Sequence, residues 1–229
     1  MTIEPDNAYH LLCDQKLQRR LRDNLDQFTV QPHETNGVKQ AAVAITIVDA
    51  GHGAEIYGLP ALEQPSHEAA LVLTRRSSRL KNHSGQWAFP GGRMEKGETS
   101  EEAALRELQE EVDLELSHDS VLGQLDDFTT RSGFVISPVV VWGGVGTHLT
   151  PNPAEVRSIH RIPIAEFLRK DAPILEDNPQ GKNPILLMPV GDSWIAAPTA
   201  ALIYQFREVA VFGKDTRVAH YEQPFFAWK

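Results

Sequence analysis

The chain has 229 residues, of which 41% are hydrophobic and 23% are charged, as is usual for a globular protein that buries a full core. Its net charge is −9, from 22 basic and 31 acidic residues. This excess of acidic groups argues against sequence-independent binding to a nucleic-acid backbone, which requires a basic surface. The single cysteine, Cys13, excludes an intramolecular disulfide and a cysteine-based zinc site.

The ends of the chain show no targeting pattern. Residues 1–6 lack the basic and apolar regions of a signal peptide, and residues 226–229 match neither a peroxisomal nor a lipidation signal. No apolar run approaches the roughly 20 residues that a membrane span needs. We therefore expect a cytoplasmic protein whose partner is a small-molecule nucleotide, with no nucleic acid and no membrane. A homodimer is left open.

The first predicted element is an amphipathic helix over residues 9–28. Its apolar stripe consists of Leu17, Leu21, Leu25 and Phe28. Residues 1–36 are expected to form this helix and a lead-in that packs on the main domain, which we place at residues 37–229. No internal repeat or linker divides the chain further.

Two buried strands and one clear helix follow. Apolar, β-branched runs predict strands over residues 41–48 and 69–74, with a glycine-rich loop between them. Residues 99–112 form the clearest predicted helix. Thr99 and Glu102 have the spacing of a capping box there, which satisfies the first free N–H groups of a helix.

The C-terminal half predicts two further strands and a closing helix. The strand over residues 134–142 contains Pro138, which indicates a sheet edge or a bulge because proline has no N–H to donate. A short strand is predicted over residues 159–164 and a helix over residues 197–211. Helices and strands do not alternate strictly, so we expect an α+β sandwich rather than a doubly wound sheet.

Three glutamates of the helix over residues 99–112 carry the strongest chemical signal. They are Glu107, Glu110 and Glu111, whose i, i+3 and i+4 spacing places them on one side of the helix. The apolar residues expected on roughly the opposite side are Leu105, Leu108 and Val112. Three carboxylates this close repel one another unless a cation lies among them, and hard oxygen ligands suit Mg²⁺ or Mn²⁺. The alternative is a solvated acidic face without a ligand.

The residues around these glutamates follow a longer pattern: a Gly, five residues, a Glu, seven residues, and Arg-Glu-apolar-x-Glu-Glu-x-Gly-apolar. The matching residues are Gly92, Glu98, Arg106, Glu107, Leu108, Glu110, Glu111 and Leu114. Asp113 replaces the last glycine, and aspartate is one of the few residues that tolerate a left-handed helix end. The chain thus resembles the Nudix hydrolase family. The resemblance implies an α+β fold, a Nudix-type α/β/α sandwich with a mixed sheet and a catalytic loop–helix–loop.

The resemblance also implies roles for these residues. The divalent ions would be bound by Glu107, Glu110, Glu111 and the carbonyl of Gly92. One of these glutamates, or one from a later loop, would activate the attacking water. Glu155 is the later candidate, as a further metal ligand or as the base, and an ordinary surface glutamate is the alternative. Arg106 and Glu98 would pair and hold the loop against the helix.

The stretch before the box resembles the coenzyme A pyrophosphatase branch of the family, whose signature is Leu-Leu-Thr-x-Arg-Ser/Ala-x3-Arg-x3-Gly-x3-Phe-Pro-Gly-Gly. The matching residues are Leu73, Thr74, Arg76, Ser77, Gly85, Phe89, Pro90, Gly91 and Gly92. Lys81 replaces the second arginine, which keeps the charge but loses the planar guanidinium. The implied substrate-binding residues are Arg76, Ser77, Lys81, Gly85, Phe89 and Gly91.

Two other stretches, residues 39–43 and 130–134, resemble the same branch. One expected feature is missing, because residues 196–200 are Ala-Ala-Pro-Thr-Ala where the branch has Trp-Gly-x-Thr-Ala. A basic group also precedes the box, formed by Arg75, Arg76, Arg79 and Lys81. We expect this group to hold the 3′-phosphate end of coenzyme A. The alternative is a set of solvated loop charges.

The leading hypothesis is a Mg²⁺- or Mn²⁺-dependent hydrolase that splits coenzyme A or acyl-CoA into 3′,5′-ADP and (acyl-)4′-phosphopantetheine. An alternative within the family is a diphosphatase for ADP-ribose or another nucleoside diphosphate derivative. A further alternative is a Nudix-fold binding module without catalysis. The complete set of three glutamates argues against that module.

Overall fold

The structure is a computed structural model and describes residues 11–31, 37–77, 85–179 and 181–222. These ranges contain the helices α1 (Gln15–Gln27), α2 (Ser100–Val112) and α3 (Thr199–Phe206), followed by a π-helical turn at Arg207–Val211. None of the described helices is long and apolar enough to cross a membrane. The strands are β1 (Lys39–Gly51), β2 (Ser66–Arg76), β3 (Trp87–Ala88), β4 (Gly91–Arg93), β5 (Val121–Gln124), β6 (Phe128–Thr129), β7 (Phe134–Gly144), β8 (Val156–Pro163), β9 (Ile174–Glu176), β10 (Ile185–Val190) and β11 (Ser193–Ala196).

The main sheet is mixed and has β1 at its centre. Strand β1 pairs with β7 in parallel, and along its other edge it pairs with β2 and β4 in antiparallel fashion. Strands β5 and β6 extend the sheet beyond β7, whereas β3 and β8 pair with β2. A second, antiparallel sheet contains β9, β10 and β11. The mixed sheet with its helices confirms the predicted α+β class.

Strands β1 and β2 separate part of the way along the main sheet, and a short segment fills the gap. The two strands pair directly over one part of their length, from the pair Ile47–Leu71 to the loop that connects β1 to β2. At the other end, β2 pairs with β3 and β1 pairs with β4. The segment over residues 87–93, which contains both short strands, therefore lies between the two long strands.

Alternate residues of the central strands face two different cores. On one face, α2 packs on Ala42 and Ala44 of β1 and on Val139 of β7. The two alanines are small, so the helix can lie close to the sheet. On the other face, Ile45 and Ile47 belong to the larger core, which also contains residues of α1 and α3. Helices thus cover both faces, as the sandwich prediction requires.

Helix α1 begins at Gln15, whereas the sequence predicts a helix over residues 9–28. Residues 9 and 10 lie outside the described part of the chain. The residues just before the helix pair with β2 instead, since Leu12 forms an isolated bridge and the Cys13 N–H donates to the sheet at 2.8 Å. Asp14 then caps the helix by accepting a hydrogen bond of 2.8 Å from a first-turn N–H.

The apolar stripe of α1 packs into the larger core. Leu17, Leu21 and Leu25 are buried there. The boundary predicted between residues 36 and 37 borders the segment 32–36, which lies outside the described residues. That boundary stays a prediction.

Pro138 lies in the interior of the main sheet, so of the two predicted settings the edge is wrong, and the ladder is irregular there, as the alternative of a bulge predicts. Strand β7 has β1 on one side and β5 and β6 on the other. The Pro138 carbonyl accepts a hydrogen bond of 3.1 Å from the Leu125 N–H, at the place where the neighbour changes from β6 to β5. The nitrogen and the carbonyl of a strand residue point to the same side, so the missing N–H faces this break in the ladder.

The structure differs from the sequence prediction at the closing helix and in the number of strands. The closing helix predicted over residues 197–211 begins at Thr199 and changes to the π-helical turn at Arg207. The second sheet and the short strands β3 to β6 were not predicted. These strands have two to six residues each and no sustained alternation of polar and apolar side chains.

Cys13 should be unreactive in the folded protein. It is 6% exposed, and burial raises the pKa of its thiol to about 12, with Asp49 and Asp14 adding to the effect. At pH 8 about one thiol in ten thousand is then ionised, and the thiolate is the reactive form. We expect a disulfide reagent such as DTNB to label almost no thiol in the folded protein and one thiol per chain after unfolding in guanidinium. Rapid stoichiometric labelling of the folded protein would contradict this burial.

Candidate active site

The backbone between β3 and α2 approaches its neighbours more closely than side chains would allow. A Cβ atom added to Gly92 would overlap the carboxylate of Glu107 on α2. A Cβ atom added to Gly91 would overlap the Ala42 carbonyl and Val43 of β1. Both positions therefore need glycine for space, and the backbone at Gly92 lies directly against Glu107.

Helix α2 presents two glutamates to the protein interior. Glu107 and Glu111 are 8% and 3% exposed and lie in the same buried stripe as Ala104 and Leu108. The prediction that the glutamates occupy the side opposite to the apolar residues is therefore wrong for these two. Glu110 alone among the three is on an exposed side, with 54% of its side chain accessible.

Arg106 connects the loop before α2 to the carboxylates on it. Its guanidinium donates to Glu98 at 2.8 and 3.1 Å, to Glu107 at 2.9 Å and to Glu110 at 3.2 Å. A further hydrogen bond of 3.1 Å goes to the carbonyl of Arg93. A guanidinium can bridge all of these groups because it carries five N–H donors in a planar fork. The hydrogen bonds from Arg106 also lower the pKa of Glu98.

Burial raises the pKa of both interior glutamates. The pKa of Glu111 rises to about 8, first through burial and then through repulsion by Glu107 and Glu155, although Arg76 and the Gly91 N–H act in the opposite direction. Burial likewise raises the pKa of Glu107, despite its contact with an arginine. Two buried carboxylates that repel each other favour a cation near them.

The donors at this place suit a hard divalent cation in kind, because Mg²⁺ and Mn²⁺ prefer carboxylate oxygens. They do not surround a common point. Glu110 pairs with Arg106, and in the described part of the chain no group of three or more His, Cys, Asp or Glu side chains is placed to hold a metal ion. One carboxylate oxygen of Glu110 accepts the hydrogen bond from Arg106. The assignment of the three glutamates and Gly92 as metal ligands stays a proposal.

The C-terminal end of α2 is held by a left-handed residue and by a later loop. Asp113 has φ 56° and ψ 39°, and its N–H donates to the carbonyl of Gln109 at 3.1 Å. Asn152 donates from its backbone to the carbonyl of Glu111 at 2.9 Å and from its side chain to that of Glu110 at 3.2 Å. Aspartate thus takes the conformation for which the box usually has glycine, and the helix end is preserved.

A cavity of about 580 Å³ opens beside β4 and β7. Its volume is in the range of small-molecule binding sites. The lining is mostly apolar and comes from β1, the segment over residues 86–92, β7 and the start of α3. The charged side chains that line it, among the described residues, are Arg76 and Arg131. Two cations at a cavity of a chain with net charge −9 indicate an anionic ligand.

The cavity gathers part of the predicted substrate-binding set. Its lining includes Arg76, Phe89 and Gly91 of that set, together with Gly92, which was predicted as a metal ligand. Ser77 is buried, and its N–H donates to the Glu155 carbonyl at 2.8 Å, so its backbone is engaged with the loop before β8. Gly85 lies at a different cavity, of about 520 Å³. Lys81 lies outside the described residues.

The predicted basic group does not form one surface. Arg75 and Arg76 are consecutive in β2, so their side chains point to opposite faces of the sheet. Arg76 lines the cavity and is close enough to Glu111 to act on its pKa. Arg75 instead stacks on the ring of Trp87 at 3.8 Å. Arg75 and Arg76 therefore do not share one surface. The other two members, Arg79 and Lys81, lie outside the described residues, and the role of the group in binding coenzyme A stays a prediction.

Several residues at the cavity were not among the predicted site residues. They are Trp87, Thr130, Arg131 and Thr199. The Thr199 hydroxyl donates to the Trp87 carbonyl at 3.1 Å, which ties α3 to β3. Arg131 extends from the turn before β7 and pairs with Glu222 at 2.7 Å. The similarity of residues 130–134 to the coenzyme A branch was the signal that pointed to Arg131.

Comparison with known proteins shows the family of the chain. Residues 58–180, more than half of the chain, match the model of the NUDIX domain. The chain belongs to the Nudix hydrolase family.

Two relatives carry the name "Uncharacterized Nudix hydrolase NudL". The one from Photorhabdus laumondii is 41% identical over 111 residues, which are 48% of this chain and 58% of that protein. The one from Pectobacterium atrosepticum is 38% identical over 138 residues, which are 59% of this chain and 72% of that protein. The chain thus spans 58% to 72% of the length of these two relatives.

A solved structure shares the fold. The MutT/nudix family protein from Enterococcus faecalis has a TM-score of 0.52 at 16% sequence identity, over 81% of this chain and 66% of that chain. At this level of identity the likeness concerns the fold alone.

The helix end at Asp113 can be tested by stability. Asp113→Gly should raise the free energy of unfolding by up to about 1 kcal/mol, because glycine adopts the left-handed conformation without a steric cost. Asp113→Val should lower it by about 1–2 kcal/mol, because a β-branched side chain clashes there. Urea denaturation of both variants measures the difference. A valine variant as stable as the wild type would contradict the left-handed helix end.

The bridging role of Arg106 predicts a loss of activity with little loss of fold. In Arg106→Lys we expect the rate of diphosphate hydrolysis to fall by about 10- to 100-fold, since an ammonium group cannot bridge the loop and the carboxylates together. Circular dichroism should remain that of the wild type. The matched control is Arg22→Lys, because the half-buried Arg22 side chain donates to the Asp119 carbonyl at 3.4 Å, away from the site. Equal rates for the Arg106 variant and the wild type would count against the bridge.

Proposed function

We propose that this protein hydrolyses the diphosphate of coenzyme A or acyl-CoA to 3′,5′-ADP and 4′-phosphopantetheine or its acyl form. The observation that carries the proposal is the composition of the cavity. Residues 39–43, 72–92 and 130–134 are far apart in the sequence and each resemble the coenzyme A pyrophosphatase branch. All three stretches contribute to the lining of one cavity. That cavity lies beside the Gly92 backbone, which contacts Glu107.

The reaction is a hydrolytic cleavage of a P–O–P link. The oxygen of a water molecule forms a bond to one phosphorus atom, the bond from that atom to the bridging oxygen breaks, and the bridging oxygen leaves with the other phosphate. The proton of the water passes to a carboxylate, for which the candidates are Glu107, Glu110, Glu111 and Glu155. A divalent cation, when bound by the glutamates of α2, would supply charge neutralisation and alignment of the water.

Side chains around the glutamates would position the substrate. Arg76 lines the cavity beside Glu111, so its guanidinium is placed to contact a diphosphate oxygen. Arg106 and Glu98 keep the loop and the helix together and do not themselves need to touch the substrate. Phe89 and Gly91 would provide an apolar wall and close backbone approach.

Two alternatives make different use of the same residues. A diphosphatase for ADP-ribose or another nucleoside diphosphate derivative needs the glutamates and Arg76 but has no use for a further cation such as Arg131. A binding module without catalysis has no need for two buried glutamates with raised pKa values, which cost stability. The second arginine of the cavity therefore favours a substrate with an additional anionic group.

A substrate panel tests the proposal. With Mg²⁺ present, the protein is incubated with coenzyme A, acetyl-CoA, ADP-ribose and a dinucleotide, and the products are separated by chromatography. We expect kcat/KM for coenzyme A to exceed that for ADP-ribose by at least about tenfold. Equal or faster cleavage of ADP-ribose would overturn the coenzyme A assignment, and no cleavage of any substrate would favour the binding module.

The role of the glutamates predicts the effect of removing one charge. Glu110→Gln should lower kcat by at least about 100-fold with the fold intact, because Glu110 is the exposed carboxylate of the three and is proposed to bind the cation. The control is Glu115→Gln, an exposed glutamate just beyond the end of α2, which should keep the wild-type rate. Removal of divalent ions with EDTA should abolish activity, and Mg²⁺ should restore it. Near-normal turnover of the Glu110 variant would contradict the metal role.

A further inference from the structure

Cationic residues that the cleavage step does not use lie near Phe134, one of the residues that line the cavity. We propose that Lys39, Arg93 and Arg131, grouped around Phe134, form a binding subsite for a phosphate other than the diphosphate. The inference rests on the proposed function and deepens it. It assigns the 3′-phosphate of coenzyme A to this subsite rather than to the basic residues that precede the box.

Two of the three cations lie against the ring of Phe134. The Nζ atom of Lys39 is 5.3 Å from the ring centroid, and the guanidinium carbon of Arg93 is 5.2 Å from it. Within the described ranges neither side chain forms an ion pair. Cations without a carboxylate partner are available to an anionic ligand.

The third cation, Arg131, lies in the turn before β7, three residues before Phe134 in the chain. Arg131 and Phe134 both line the cavity. Sheet pairing brings Lys39 and Arg93 to Phe134, although the three residues come from different parts of the chain. In the sheet, Phe134 of β7 pairs with Lys39 of β1, and Arg93 of β4 pairs with Ala41, two residues further along β1.

This end is separate from the end at the glutamates. Gly92, which contacts Glu107, is opposite Ala42 of β1, whereas Phe134 is opposite Lys39. With strands about 4.8 Å apart and residues about 3.3 Å apart along a strand, the Cα atoms of Gly92 and Phe134 are on the order of 14 Å from each other. One phosphate group cannot occupy both ends. A ligand that uses both must carry anionic groups at two separated positions, as the 5′-diphosphate and the 3′-phosphate of coenzyme A are.

A carboxylate of the chain occupies Arg131. Glu222 accepts hydrogen bonds from Arg131 at 2.7 and 3.1 Å, and 39% of the arginine side chain remains accessible. Phosphate and carboxylate bind the guanidinium fork in the same manner, and phosphate carries the greater charge. Glu222 would therefore compete with a bound phosphate, and removal of its charge should strengthen phosphate binding.

The kinetic test compares coenzyme A with 3′-dephospho-CoA, which differ in the 3′-phosphate alone. In Arg131→Ala we expect the ratio of kcat/KM for coenzyme A to kcat/KM for 3′-dephospho-CoA to fall by about tenfold, mainly through KM for coenzyme A. Lys39→Ala and Arg93→Ala should each lower the ratio by about threefold, and Glu222→Gln should raise it.

The matched control for the kinetic test is Arg157→Ala. Arg157 is an exposed arginine at the other cavity, of about 520 Å³, and its replacement should leave the ratio unchanged. Equal losses for both substrates in Arg131→Ala, or an equal change in the ratio for Arg157→Ala, would overturn the subsite.

A binding measurement separates failure of the subsite from failure of the proposed function. Adenosine 3′,5′-bisphosphate and AMP are titrated into the wild type and into Arg131→Ala by calorimetry. We expect the bisphosphate to bind about tenfold more tightly than AMP to the wild type, and the difference to disappear in the variant. If neither coenzyme A nor 3′-dephospho-CoA is cleaved, the proposed function fails while this difference still supports the subsite. Equal affinities of the wild type for the two nucleotides would overturn the subsite itself.

Discussion

The guanidinium of Arg106 holds the site together, because it binds the loop before α2 and the carboxylates of α2 at the same time. Glu98 and the carbonyl of Arg93 lie on the loop side of this contact, and Glu107 and Glu110 lie on the helix side. The same contact involves one oxygen of Glu110. This carboxylate therefore belongs both to the arginine network and to the proposed metal site.

Local features of the sequence predicted the position and the N-terminal cap of α2. The burial of its glutamates depends on tertiary contacts. The capping box of Thr99 and Glu102 is present as predicted, since its hydrogen bonds lie within one turn. Periodicity alone placed all three glutamates on a polar side. Glu107 lies against the backbone of Gly92, and Glu111 is near Arg76 and the N–H of Gly91. These partners are separated from α2 in the sequence, so the periodicity of the helix does not show that the two glutamates are buried.

The cationic part of the site shows the same limit of prediction from sequence. Arg75 and Arg76 are neighbours in the chain, but the alternation of a β-strand separates them onto two faces of the sheet. Lys39 and Arg93 are far apart in the chain, but strand pairing places both against Phe134. Which residues share a surface depends on strand register, and that register follows from pairings the sequence did not show.

The segment over residues 87–93 has a structural role besides lining the cavity. It pairs with β2 through one short strand and with β1 through another, so it completes the hydrogen-bond ladder of the main sheet. The wall of the cavity and the close approach of Gly92 to Glu107 exist only while both long strands are paired. Fluctuations that open this part of the sheet would remove the site and disrupt the core together. The proposed activity is therefore tied to the pairing of this segment with both long strands.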